Sequence, residues 1–433
     1  MNSKAQLPQS VSKWADPFVL CAVILSVYWN FSRLAISDLG LSILIVAASI
    51  AVMAALEWWR VPKHTIGYSL REIFSHSVVT WIGTLAGLAI VFLAWNTLAL
   101  YQNSYYVPFF QALPLILFAT PILSAFFIIA ADRILGPSKQ GGYQLGLVTL
   151  GRFKEVDWTA VRDNLITWFI RGFFLPINFC ELVRVITLVR GHEFSLLQGS
   201  LASSEYYLLV MIYGLIIAAV VPGYIFGARL IRTENKSVSH SWFGWTVTLA
   251  CYPPFEYAFF TSWFDYSPTT ADPIWLQPWA QQLQNLPAAL AIVGVVILFF
   301  SLIHLWGEAQ FGLRSSNLTN RGIITTGPYR FCKHPVYLAK CIVWFLVSIP
   351  FVSGMSIFDD LRLTVLWICV CGIFTLRTVA EEQLLSRDPD YVAYARWIEE
   401  HGVLSFLKKI PAFSYEWRLA RWQQQHPDLH SAS

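Results

Sequence analysis

The chain has 433 residues, of which 56% are hydrophobic and 13% charged, and its net charge is +4. A soluble domain carries about 25% charged residues, so a soluble enzyme is excluded, and so weak a positive balance gives no ground for nucleic-acid binding. Mean hydropathy is +0.53, and the absence of strand-like alternation argues against a β-barrel, so an all-α, polytopic transmembrane helix bundle is expected.

About ten spans are expected, at 17–32, 40–58, 78–101, 107–131, 164–189, 206–230, 242–264, 285–306, 336–354 and 361–377. The first is short enough to be re-entrant, and no small-residue cleavage site follows it, so no signal peptide is read there. The fifth holds Arg171, Glu181 and Arg184, with Pro176 expected to break it; Glu181 and Arg184 are three apart and can pair. Gly141-Gly142 lacks the Gly-x-x-x-x-Gly-Lys pattern and reads as a turn. Glu256 follows Pro253-Pro254 in the seventh span and is placed to line a cavity. In the eighth span His304 and Glu308 share a face near the end, where snorkelling is the simplest account. The seven cysteines lie mostly in apolar runs, without metal spacing, and read as small buried hydrophobes.

Alternate loops are rich in Lys and Arg, from Arg60, Lys63 and Arg71 to Arg314, Arg321, Arg330 and Lys333. By the positive-inside rule both termini and the segments around Lys333 and Arg377 face the cytoplasm. Three parts are expected: a bundle over 1–282, a membrane core over 283–410 with a small cytoplasmic helical cap, and an interfacial tail over 411–433.

Two polar segments beside spans stand out. The first is Gly327-Pro328-Tyr329-Arg330-Phe331-Cys332-Lys333-His334-Pro335-Val336-Tyr337. Gly322 and Gly327-Pro328 make the stretch before it an ordered loop, and Pro335 suits the first turn of a helix whose N-terminus attracts a carboxylate or phosphate. The second is Arg377-Thr378-Val379-Ala380-Glu381-Glu382. Arg377 and Glu381 share a helix face while Glu382 points about 100° away. Tyr391 and Tyr394 follow on a short amphipathic pattern. An ion-pair anchor explains Arg377 and Glu381 alone, and lipid phosphate explains Lys333 alone, but neither explains the Gly-Pro-Tyr and His-Pro-x-Tyr runs.

These segments resemble the signature of the isoprenylcysteine carboxyl methyltransferase family and its phospholipid and thiol methyltransferase relatives. The matching residues are Arg321-Gly322-Ile323-Ile324-Thr325-Thr326-Gly327-Pro328-Tyr329, Lys333-His334-Pro335-Val336-Tyr337, Arg377 with Glu381-Glu382, and the two tyrosines. The resemblance covers about 130 residues of the chain and implies a multispan membrane enzyme using S-adenosylmethionine, without metal. It implies that Arg321, Gly322, Ile323, Ile324, Tyr329, His334, Pro335, Val336, Tyr337 and Glu381 line the cofactor pocket. Arg377 and Glu382 are the expected catalytic residues, Arg377 orienting an anionic acceptor and Glu382, or His334, taking a proton from an amine. The implied partners are the bilayer and a lipophilic or small carboxylate or thiolate acceptor. Arg321 stands where the family has His, and Lys333 where it has Arg. The alternatives are an NADPH-dependent membrane reductase of the sterol-reductase type, with a similar C-terminal turn, and a transporter or scaffold.

Overall fold

Apolar runs this long satisfy their backbone groups within lipid only as helices. The computed structural model describes residues 7–61, 68–192, 201–256, 283, 285–348 and 356–425. Six α-helices lead through the first part: α1 Asp16–Phe31, α2 Asp38–Arg60, α3 Leu70–Thr97, α4 Val107–Leu135, α5 Gly142–Thr149 and α6 Trp158–His192, with 3-10 turns at Ala99–Tyr101 and Ser104–Tyr106 before α4 and at Phe153–Glu155 before α6. Then come α7 Leu201–Ile225, α8 Trp242–Leu249, α9 Pro287–Ala309, α10 Pro335–Ser348, α11 Ile357–Leu385, α12 Pro389–His401 and α13 Tyr415–Gln425. Among the described residues seven helices are long and apolar enough to cross a membrane: α2, α3, α4, α6, α7, α9 and α11. The protein is therefore a multi-pass, all-α membrane bundle. The expected first and ninth spans are shorter apolar helices here, and the expected seventh span beyond residue 256 lies outside the described residues.

Local chemistry sets the helix starts. Ser37 Oγ accepts from the Gly40 amide at α2, and Ser69 with Glu72 forms a reciprocal capping box at α3. Pro389 occupies the first turn of α12 behind the Asp388 cap.

The expected break at Pro176 does not occur: α6 runs through it and is the most buried span, with 78% of its apolar window inside. Proline leaves the carbonyl four residues earlier without its helical donor. That carbonyl, on Gly172, instead accepts from Trp95 Nε1 at 2.8 Å and from the Tyr101 hydroxyl at 3.2 Å. Gly142, in the expected turn, is instead the first residue of α5, which packs backbone to backbone on α3. A Cβ added at Gly83 would meet the Gly142 carbonyl oxygen at 1.9 Å.

One apolar core runs from Leu20 in α1 to Val347 in α10, so helices from both sides of the expected boundary at 282 share it. A second cluster forms the cap, uniting Ile323, Ile324, Tyr329, Val336, Tyr391, Tyr394 and, from the expected interfacial tail, Tyr415, Leu419 and Trp422. A two-stranded antiparallel pair, β1 Ser237–Val238 with β2 Thr319–Asn320, ties the segment after α7 to the loop entering the motif.

Candidate functional site

The N-terminal segment straps the motif loop. The Val11 amide donates to the Ile323 carbonyl at 3.1 Å, and the Thr325 hydroxyl donates to the Pro8 carbonyl at 2.9 Å. Gln310 Nε2 donates to Ser12 Oγ and the Lys13 carbonyl, both at 2.7 Å. Gly322 has φ +108°, and a Cβ there would meet Val11 at 2.7 Å, so the strap fits only against glycine.

Behind this loop a cavity of about 800 Å³ runs from the cap into the bundle between α6, α7, α9, α10 and α11. Of the expected cofactor residues, Arg321, Gly322, Ile323, Ile324, Tyr329, His334, Val336, Tyr337 and Glu381 all line it. Pro335 is not on the wall; it starts α10, as its position before the apolar run predicts.

Arg377 sits at the junction of the cap and membrane halves. Its guanidinium lies over the rings of Tyr337 at 5.3 Å and Tyr252 at 5.8 Å, donates to Asn317 Oδ1, and is 3.4 Å from Glu381. The Tyr337 hydroxyl donates to Glu381. Asn317 Nδ2 in turn donates to the hydroxyls of Tyr224 at 2.8 Å and Tyr252 at 3.0 Å. Sequence reasoning missed Asn317, Tyr224 and Tyr252. Asn317 was within reach, four residues before Arg321, but the two tyrosines lie about 65 and 93 residues upstream of it and meet it only through packing.

Glu382 departs from its expected catalytic place. It is not on the cavity wall, and its carboxylate is enclosed by Lys333 at 3.0 Å, His334 at 3.1 Å and Arg418. The 100° offset from Glu381 turns it into the cap, where these three groups staple the motif loop and α13 to α11. An acid engaged in this way fastens the cap.

Arg321 likewise spends its guanidinium on protein: Nε donates to Asn235 at 2.6 Å, and Nη1 to the Gly223 carbonyl at 2.7 Å and the Leu313 carbonyl at 3.1 Å. Burial, and then the nearby Arg171, push its pKa down to about 9, which still leaves it charged at neutral pH.

Tyr391 behaves differently. It is 4% exposed, lines the cavity, and its hydroxyl has no hydrogen-bond partner among the described residues. Burial, then the charge of Glu382, hold its phenol well above the ordinary range, so the O–H stays intact. A buried unsatisfied hydroxyl costs about 1–3 kcal/mol, which a bound polar ligand would recover. Tyr394, by contrast, is satisfied by the Tyr329 carbonyl at 2.6 Å.

Deeper, His304, Glu308 and Lys340 stand on the cavity wall, so snorkelling does not describe them. Glu308 is 3.8 Å from both His304 Nε2 and Lys340 Nζ. At the far end Glu181 and Arg184 make the expected pair at 2.5 Å, and Glu256 lines the wall as expected.

Residues 259–398 match a family described as protein of unknown function DUF1295. No methyltransferase family matches the chain. No curated protein and no solved structure matches it.

Proposed function

We propose that the chain is an integral membrane S-adenosylmethionine-dependent methyltransferase, acting on a lipid-associated or small carboxylate or thiolate acceptor. The observation that carries this reading is the state of the cations on the cavity wall. Arg314 is held by Glu57, Arg321 by Asn235 and backbone carbonyls, Lys333 and His334 by Glu382, and Arg377 by Glu381 and Asn317. Lys340 faces Glu308 and Arg184 faces Glu181. A wall whose cations are already engaged suits an adenosine-linked cation better than a diphosphate. The Tyr391 hydroxyl and the Glu381 carboxylate remain on the wall to receive ribose hydroxyls or an α-ammonium group.

S-adenosylmethionine, when bound, supplies an electrophilic methyl group. The chain's own task is alignment and exclusion of water. Ile323, Ile324 and Tyr329 give the cap end an apolar wall buried under α12. Arg377, clamped between Tyr337 and Tyr252, has the rigidity to orient an anionic nucleophile at the boundary of the two halves. The basic loops support a cytoplasmic cap, in which case a lipid-borne acceptor would reach Arg377 from the membrane half.

An NADPH-dependent membrane reductase is the second reading. It is favoured by the DUF1295 match, since that family is associated with steroid 5-alpha reductase-like membrane proteins. Calorimetry of the purified protein with S-adenosylmethionine, S-adenosylhomocysteine and NADPH separates the two. Micromolar binding of the adenosyl-sulfur compounds, weakened in Glu381→Gln, supports the methyltransferase. Binding of NADPH alone moves the protein to the reductases, and binding of none by a folded sample favours a transporter or scaffold.

A further inference from the structure

The middle of the cavity carries three ionisable groups that the reading of Arg377 and Glu381 does not use: His304 and Glu308 on α9 and Lys340 on α10. They lie close to the Arg377 junction. Lys340 follows Tyr337 by three residues on α10, a rise of about 4.5 Å. Phe374 of α11 touches both, its ring 5.6 Å from the Tyr337 ring and 5.8 Å from Lys340 Nζ.

Charge is balanced among these groups. Lys340 is within electrostatic reach of Glu308 and Glu256, and the charge of Arg377 reaches both Glu308 and Lys340. Hydrogen bonding is not balanced. Glu308 Oε1 is 3.8 Å from His304 Nε2 and 3.8 Å from Lys340 Nζ, beyond hydrogen-bond length in both cases. His304 Nε2 is buried and has no hydrogen-bond partner among the described residues.

This combination selects the chemistry of whatever fills the gap. An added carboxylate would stand against Glu308, and an added ammonium against Lys340. A hydroxyl is neutral, donates one hydrogen bond and accepts others. Its oxygen can lie about 2.8 Å from each end of the gap, donating to Glu308 and accepting from Lys340.

We infer that the acceptor carries a hydroxyl a few bonds from the anionic group that Arg377 orients, read by Glu308 and Lys340 with His304 beside them. The inference rests on the reading of Arg377 as the orienting cation. It narrows the acceptor from any lipid-associated or small anion to a hydroxylated one.

The test uses hexadecanoic acids hydroxylated at one carbon between the second and the eighth, their O-methyl ethers and the unsubstituted acid, with the intact protein in nanodiscs. At the best position the hydroxy acid should bind about tenfold tighter than both controls, because the ether cannot donate to Glu308. In the paired variant Glu308→Leu with Lys340→Met, which removes both charges together, the preference should fall to about twofold or less. The unsubstituted acid should keep its affinity there. Should the paired variant fail to fold, the wild-type comparison of hydroxyl with ether still decides. Equal affinity for hydroxy acid and ether at every position would mean that the gap holds only water. That result, a preference that survives the paired variant, or no binding of any probe by the folded protein would overturn the inference. S-adenosylmethionine is titrated into the same samples. Its failure to bind would refute the methyltransferase reading, while the hydroxyl preference is read without it.

Discussion

Glu381 and Glu382 are adjacent in the chain and belong to two regions that use charge in opposite ways. In the cap, Glu382 is enclosed by Lys333, His334 and Arg418, and no valence is left over. On the cavity wall, Glu381 meets Arg377 and Tyr337 but also faces open space, and Tyr391 has a buried hydroxyl with no partner among the described residues. A saturated network holds a shape. An incompletely satisfied one, fixed in place by the first, is where a ligand gains affinity.

The comparison is broken most severely at Glu382. Glu382→Ala leaves Lys333, Arg418 and His334 without the carboxylate that holds them and should cost about 3–5 kcal/mol. The melting temperature should fall sharply and the cap should become protease-sensitive; a melt matching wild type would show that the cap does not depend on this knot. Glu381→Gln should do the reverse. Its fold should persist, while affinity for S-adenosylmethionine falls about tenfold to a hundredfold, the worth of a charge-assisted contact. Equal affinity by calorimetry would remove Glu381 from the cofactor site.

A smaller effect is expected where the strap meets the motif loop. Val11→Asp puts a charge against Gly322 and should cost about 1–2 kcal/mol locally. Hydrogen exchange over 322–326 should quicken while α3 and α6 keep their protection; uniform exchange would mean that the strap is not a separate support. The least effect on stability belongs to Tyr391→Phe. Its hydroxyl has no partner to lose among the described residues, so the melt should be unchanged or slightly raised, while cofactor affinity drops by about 0.5–1.5 kcal/mol. A destabilised variant with unaltered affinity would place that hydroxyl in the structure of the cap instead.

Some of this was legible before any coordinates. Spans two to six, eight and ten follow from apolar run length, because lipid permits the backbone little else. Pro335 was readable as a helix start, and the Arg377–Glu381 pairing as an i,i+4 contact, because both are local. Pro176 was misread for a non-local reason: the carbonyl it strands is rescued by Trp95 and Tyr101 from elsewhere in the bundle. The place of Glu382 in the cap was not legible because its three partners arrive from the motif loop and from α13, about 36 to 49 residues away.

The sequence by itself determined that this is a helical membrane protein with a polar cap, and which cap residues gather. Those outcomes depend on hydrophobic run length and helical periodicity, which act within a few turns of chain. Only the tertiary structure decided that the N-terminal bundle contributes to the cavity wall and that Asn317 joins Arg377 to Tyr224 and Tyr252. Such facts rest on which helices pack together, and a side chain's partner across a bundle leaves no mark in its own neighbourhood of sequence.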